Sequence, residues 1–229
     1  MPDTLVALLT VLGGILPALI WLTFWLLEDR CEPEPKKYIF LSFIAGMAAV
    51  IIVLPMEKSI TPFLSGTLLL IAWVAIEEIW KFIAAYVGAL HANVFDEPLD
   101  AVIYMVTTAL GFSAMENIFF LWGPAHNYDI LRTLVTGDLR FMGATLVHTI
   151  SSVTIGLALA YAFNKSAKVK KIAAFVGVVL AISLHTLFNF FILNEGGGAT
   201  FWIFLCVWVG IIASLLLVER IKQPERDYC

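Results

Sequence analysis

Two adjacent carboxylates lie inside a long apolar run of this sequence. Glu77 and Glu78 are followed by Lys81, and these three are the only charged residues in the stretch 63–90. A run of that length is typical of a membrane-spanning helix, and each charged residue at the centre of such a helix costs about 2.5–3.5 kcal/mol on insertion scales. Ionisable residues inside a bilayer are functional by default, and an ion pair that only joins helices is the competing interpretation.

The glutamate pair has the composition of an acid–base site. Lys81 lies four residues after Glu77 and three after Glu78, so it can reach either carboxylate across one helical turn. Neighbouring carboxylates in a medium of low dielectric constant resist ionising together, which leaves one base and one protonated partner. That division suits general acid–base catalysis on a water molecule.

Other polar residues stand in later apolar runs. Glu116 and Asn117 lie in one, His148 lies in the next, and His185 and Asn189 lie four residues apart in a third. An imidazole and an amide on one helical face can both donate to one oxygen, as an oxyanion site requires. Each of these groups has a structural alternative, namely a hydrogen bond between packed helices.

The composition limits the class of protein. Of the 229 residues, 61% are hydrophobic and 14% are charged, which predicts an all-α, polytopic membrane protein rather than a soluble domain. The net charge of −4 and the lack of a basic face argue against nucleic acid as a partner. The three cysteines have neither disulfide-framework nor metal-site spacing.

The apolar runs predict about seven spans in one integral membrane domain, residues 1–229, with a catalytic core at about 63–193. The spans cover about 5–27, 38–54, 63–90, 101–122, 141–163, 172–193 and 200–218. The polar stretch 123–140 is long enough to include a short interfacial helix. No internal repeat of the kind found in many transporters is evident.

The distribution of basic residues predicts the orientation. One side of the membrane receives ten Lys and Arg residues, and the other receives three (Lys58, Arg132 and Arg140). The bias places the N-terminus outside and the C-terminus in the cytoplasm. Counting along the spans puts Glu116, His148 and His185 about 9–12 Å below the outer boundary and Glu77 at about 20 Å. A shared site therefore requires the third span to tilt or to protrude.

Four motifs in order resemble the PrsW family of bacterial intramembrane proteases. They are E-E-x-x-K at 77–81, F-x-x-x-E-N at 112–117, the later His148, and H-x-x-x-N at 185–189. The family begins the cleavage of membrane-anchored anti-sigma factors. More distantly, the pattern resembles the CAAX-processing and bacteriocin-processing proteases, with E-E-x-x-x-R, F-x-x-x-H and H-x-x-x-N/D.

The resemblance implies roles for these residues. Glu77 is the expected base that activates water, with Glu78 as its partner and Lys81 fixing the pair. His185 and Asn189 match the oxyanion-stabilising positions. Two departures stand out, because Lys81 comes one residue earlier than the wider superfamily's arginine and Glu116 replaces the histidine of F-x-x-x-H. We expect His148 to supply that imidazole, which leaves Glu116 and Asn117 as orienting groups.

The leading hypothesis is a glutamate-dependent intramembrane endopeptidase of a prokaryotic cell membrane, without a metal or other cofactor. Its expected substrate is a single-pass membrane protein, cut within the bilayer near the outer face, and the resemblance suggests an anti-sigma factor. One alternative is a proton-coupled carrier or channel that uses the buried Glu and His residues. The other is a metalloprotease on the same scaffold, since carboxylates and imidazoles suit zinc, manganese or iron, although H-E-x-x-H is absent.

Overall fold

The computed structural model describes residues 3–30, 32–127, 129–194 and 200–222, and every regular element in these ranges is helical. The helices are α1 (Asp3–Glu28), α2 (Lys36–Ile60), α3 (Gly66–Ala85), α4 (Pro98–His126), α5 (Ile130–Leu139), α6 (Thr145–Tyr161), α7 (Ala167–Asn194) and α8 (Thr200–Ile221). A π-turn, Tyr86–Leu90, extends α3, and another, Arg140–Ala144, joins α5 to α6. The predicted all-α fold is confirmed.

Five helices are long and apolar enough to cross a membrane, namely α1, α2, α4, α7 and α8. The other predicted spans also coincide with helices. The 20 residues of α3 include three buried charged side chains, and α6 has 17 residues. The short helix α5 occupies the polar stretch between the fourth and fifth predicted spans.

Helix α4 is the centre of the bundle. Its side chains from Leu99 to Ala114 are all buried, as expected for a helix surrounded by other helices. Glycines allow α2 to approach it closely: a Cβ on Gly46 would lie 2.0 Å from the carbonyl oxygen of Thr108, and one on Gly111 would lie 2.0 Å from that of Phe43. Such small-residue contacts are typical of helix packing in membranes. They fix the part of α4 that precedes Glu116.

Helices α3, α6 and α7 complete the part of the bundle that contains the candidate site. Helix α6 packs between α4 and α7, and α7 also packs against α3. At Gly156 a Cβ would lie 2.7 Å from the Cα of Val102, so α6 also approaches α4 closely. The polar residues on these four helices therefore face one another.

Candidate active site

Helix α3 presents its three charged side chains to the interior. Glu78 and Lys81 are fully buried, and Glu77 is 8% exposed. Lys81 Nζ donates a hydrogen bond of 2.5 Å to Glu78 Oε1 across one helical turn. The lysine therefore pairs with Glu78.

His185 brings α7 into contact with both carboxylates. Its Nδ1 lies 2.6 Å from Glu78 Oε1 and 3.7 Å from Glu77 Oε2. The His185 ring packs edge-on against that of His148, with ring centroids 4.7 Å apart. The glutamate pair and the two histidines thus meet at one place, although counting along the spans put Glu77 deeper than its partners.

His148 on α6 connects Lys81 to Glu116. Its Nδ1 lies 3.0 Å from Lys81 Nζ, and its Nε2 lies 2.9 Å from Glu116 Oε2. A lysine ammonium has only donors, so Nδ1 accepts the hydrogen bond from Lys81. Nε2 then carries the ring proton and donates a hydrogen bond to Glu116. The contacts fix one tautomer of His148.

Arg140, at the end of the polar stretch 123–140, also contacts the candidate site. Its Nη2 donates to Glu116 Oε2 and its Nε donates to Asn117 Oδ1, each at 2.5 Å. Asn117 Nδ2 also donates to Thr145 Oγ1 at 3.3 Å. No sequence signal separates Arg140 from ordinary loop arginines, since its contact depends on the π-turn that begins at this residue.

Glu57 is a further carboxylate near the site, in the stretch between the second and third predicted spans. It lies in the last turn of α2, and its carboxyl group is within hydrogen-bond reach of that of Glu77. Trp73 Nε1 donates to the Glu57 carbonyl oxygen at 3.2 Å, which joins the end of α2 to α3. Glu57 lies three residues beyond the predicted end of the second span. Glu77 is therefore close to the polar end of α2, and its depth of about 20 Å below the outer boundary stays a prediction.

The charges of the site are unevenly paired. Glu78 pairs with Lys81, and Glu116 pairs with Arg140. Glu77 has no lysine or arginine partner among the described residues, and its Oε2 is buried there without a hydrogen bond. Breaking a buried ion pair is costly, so Glu78 and Glu116 are committed to their cations. Glu77 is the site carboxylate without such a pair among the described residues.

Asn189 lies one turn beyond His185 on α7 and is half-buried. Its side chain makes no hydrogen bond within the part of the chain that the structure describes. Its assignment to the oxyanion stays a prediction. The structure brings together Glu77, Glu78, Lys81, Glu116, His148 and His185, with Asn117 and Arg140 at the edge.

The donor set also fits a metal ion. Glu77, Glu78, His148 and His185 each offer one ligand atom, and these atoms lie within 4.8 Å of one another. Oε2 of each glutamate is buried without a hydrogen bond among the described residues. Because Lys81 and Glu116 contact the two ring nitrogens of His148, the available ligands are the two glutamates and one nitrogen of His185. Three protein ligands are the usual number in an open catalytic zinc site.

Known proteins match the chain over most of its length. The model of the "PrsW family intramembrane metalloprotease" matches residues 34–216. Protease PrsW of Clostridioides difficile is 28% identical over 223 residues, covering 93% of this chain and 91% of the relative. Protease PrsW of Geobacillus kaustophilus is 23% identical over 229 residues, covering 93% of each.

The relative from Bacillus subtilis, also named Protease PrsW, is 27% identical over 134 residues, covering 54% of this chain and 58% of the relative. No solved structure matches the chain. The five apolar helices agree with a protein that crosses the cell membrane several times. The chain belongs to the PrsW family of intramembrane proteases.

Proposed function

We propose that this protein is an intramembrane endopeptidase in which Glu77, without a metal, activates the attacking water. The observation that carries the proposal is the charge pairing of the site. Glu78 and Glu116 each have a cation, whereas Glu77 has none among the described residues and keeps a buried, unpartnered oxygen. A carboxylate held in this way is suited to accept a proton.

The reaction follows from these positions. Glu77 takes a proton from water as the water oxygen attacks the carbonyl carbon of the scissile peptide bond. The tetrahedral oxyanion is held by the amide of Asn189 and by His185. Because Nδ1 of His185 faces Glu78, His185 donates to the oxyanion only when its other nitrogen carries a proton. Glu77 then passes its proton to the amide nitrogen as the C–N bond breaks.

The substrate and the topology form the second part of the proposal. The chain crosses the membrane seven times, with its N-terminus outside and a catalytic core at about 63–193. The excess of basic residues on one side supports this orientation. The proximity of Glu57 to Glu77 supports a site near the outer face. The substrate is a single-pass membrane protein, and the family resemblance suggests an anti-sigma factor.

Substitution of the base tests the mechanism. Purified protein in proteoliposomes, with a panel of single-pass substrates, is expected to lose about 10²–10⁴-fold in cleavage rate on Glu77→Gln, the usual contribution of a general base. Glu219→Gln is the matched control, because Glu219 is exposed near the end of α8. Undiminished cleavage by the Glu77→Gln protein would contradict the proposal.

A metal-dependent protease is the second candidate, and the closeness of the four ligand atoms favours it. Glu77, Glu78 and His185 would hold the ion, which supplies a Lewis acid for water and carbonyl oxygen. Elemental analysis and chelation separate the candidates. The metal-free mechanism predicts full activity after chelation, and the metal-dependent one predicts stoichiometric metal with activity lost and then restored by zinc. The relatives are named proteases, which favours either enzyme over a carrier or channel.

A further inference from the structure

We propose that Arg140 is a positioning residue of this site and that the π-turn Arg140–Ala144 serves to bring it there. The proposal rests on the proposed proteolytic function. Arg140 contacts Glu116, Asn117 and the ring of Phe120. It acts on catalysis through Glu116 and His148 rather than by touching the substrate.

The π-turn changes which way Arg140 faces. Arg140 begins the turn, and His148 follows eight residues later on the same continuous helical segment. In an α-helix at about 100° per residue, eight residues would leave the two side chains about 80° apart. A π-turn includes one extra residue, so the eight residues behave as about seven and the angle falls to about 20°. Both side chains then face α4.

The contacts agree with this register. Arg140 Nη2 lies 2.5 Å from Glu116 Oε2, and His148 Nε2 lies 2.9 Å from the same oxygen. One carboxylate oxygen therefore receives a hydrogen bond from the first residue of the π-turn and another from His148, four residues beyond its end. Single π-turns within helices are frequent at functional sites, and here the turn has an identifiable geometric effect.

The charge of Arg140 determines what Glu116 can do. An arginine guanidinium stays protonated in proteins, so it keeps Glu116 paired as a carboxylate. That carboxylate accepts a hydrogen bond from the Nε2–H group of His148, so Nδ1 of the same ring is free of a proton and accepts a hydrogen bond from Lys81. Lys81 is thereby directed to Glu78. Arg140 thus helps to hold the lysine that neutralises the partner of the proposed base.

The shape of the arginine side chain also matters. Nε binds Asn117 while Nη2 binds Glu116, and a planar guanidinium supports such a two-point contact better than an ammonium does. The guanidinium carbon lies 4.0 Å from the centroid of the Phe120 ring, a cation–π contact that fixes its plane. A lysine at this position would keep the positive charge but could not make the same two-point contact with Asn117 and Glu116.

Steady-state kinetics of the reconstituted protein tests the role. Arg140→Gln is expected to lower kcat about 10–100-fold, the range seen on losing partners that orient metal-binding residues, with little change in KM. Arg140→Lys is expected to restore part of kcat. The matched control is Arg132→Gln, because Arg132 is an exposed arginine on α5; this variant is expected to retain the wild-type rate. If Arg140→Gln fails to fold, the reduced kcat of Arg140→Lys carries the test.

A double-mutant cycle separates positioning from structural support. If Arg140 acts through Glu116, adding Arg140→Gln to Glu116→Gln lowers kcat no further. The ¹⁵N spectrum of histidine-labelled protein is expected to show His148 losing its single Nε2–H tautomer in Arg140→Gln.

Additive effects in the cycle, an unchanged tautomer or a wild-type kcat in Arg140→Gln would each overturn the inference. An active Glu77→Gln protein would instead overturn the proposed function. An inactive Glu77→Gln protein together with a fully active Arg140→Gln protein would overturn this inference alone.

Discussion

Two polar clusters contact different parts of α4, one at its first turn and one in its second half, and they are neutralised by different means. The cluster that we propose to be catalytic, called the catalytic cluster below, contains two carboxylate–cation pairs. Its members are Glu77, Glu78, Lys81, Glu116, Arg140 and His148. The acidic cluster consists of Asp29, Glu34, Glu97, Asp100 and Tyr104. Asp100 precedes Glu116 by 16 residues on α4, which is about 24 Å along the helix axis.

The acidic cluster borders a cavity of about 300 Å³ whose lining includes five acidic residues (Glu32, Glu34, Asp96, Glu97 and Asp100) and, among the described residues, no basic one. Tyr104 donates its hydroxyl proton to Glu34. Asp100 Oδ2 accepts from the backbone N–H groups of Asp96 and Glu97 at 2.9 and 2.8 Å. The carboxyl group of Glu34 also lies within hydrogen-bond reach of that of Asp100, and two carboxyl groups this close resist ionising together.

The pKa values of the loop carboxyl groups agree with neutralisation by protons. Burial, followed by the neighbouring Asp100, raises the pKa of Glu34 to about 9. Burial is also the first cause that raises the pKa of Asp29 and that of Glu97, each to about 7. The comparison shows that Glu78 and Glu116 are paired with cations, whereas the charge of the acidic cluster depends on pH.

Removing the buried cation of the catalytic cluster is expected to have the largest effect. Lys81→Met leaves Glu78 buried without its ion-pair partner, and breaking a buried pair in this way costs about 3–5 kcal/mol. It also removes the donor to His148 Nδ1. We expect a large fall in the midpoint of thermal unfolding and loss of cleavage. Both are measured on detergent-purified protein, with cleavage repeated in proteoliposomes.

The double variant Glu78→Gln/Lys81→Met is the control for charge. It removes both members of the pair, so it should recover much of the stability that Lys81→Met loses while remaining inactive. A Lys81→Met protein of wild-type stability would show that the catalytic cluster does not depend on its cations. The contrast with the acidic cluster would then be wrong.

The sequence predicted the helices better than the contacts between them. Apolar runs mark spans because the bilayer sets their length, and charges inside them are conspicuous because they are costly there. Glu57 and Arg140 lay near span ends, where polar residues are ordinary. Their contacts depend on where α3 begins and on a π-turn, which local patterns do not reveal. Glu34 was missed for the same reason, because a loop glutamate gives no sign of burial against α4.

Glu34→Gln is expected to have an intermediate effect, which is confined to the pH dependence of stability. A carboxyl group whose pKa is higher in the folded than in the unfolded protein stabilises the fold. The contribution is complete when the pH is below the unfolded-state pKa, and it is lost as the pH rises through the folded-state pKa. For Glu34 the window runs from about 4.5 to about 9. The unfolding midpoint of the wild-type protein should fall as the pH rises through this window. Asp29 and Glu97 add to the fall up to about pH 7. Glu34→Gln should flatten the upper part, since an amide can donate to Asp100 without titrating.

The groups that face Glu34 are Asp100 and Tyr104 from α4 and Asp29 after α1, and Lys222 after α8 acts on Asp29. Glu219→Gln is the control for a general change in charge. Recovery of the wild-type midpoint at high pH by added calcium or magnesium would show that a cation, rather than a proton, balances the cluster. A pH profile shared by wild type and Glu34→Gln would exclude Glu34 as its source.

Tyr104→Phe is expected to give the smallest change in the unfolding midpoint, and it tests whether Glu34 changes its charge with pH. The variant removes one donor from Glu34 while leaving the buried ring in place, and a single hydrogen bond of this kind contributes about 0.5–1.5 kcal/mol. Tyr104 donates to either protonation state of Glu34, but its bond to the ionised form is stronger. Losing it should therefore lower the unfolding midpoint more at pH 9 than at pH 5, and cleavage near neutral pH should change little. An equal loss at both pH values would mean that Glu34 does not change its charge in the folded protein.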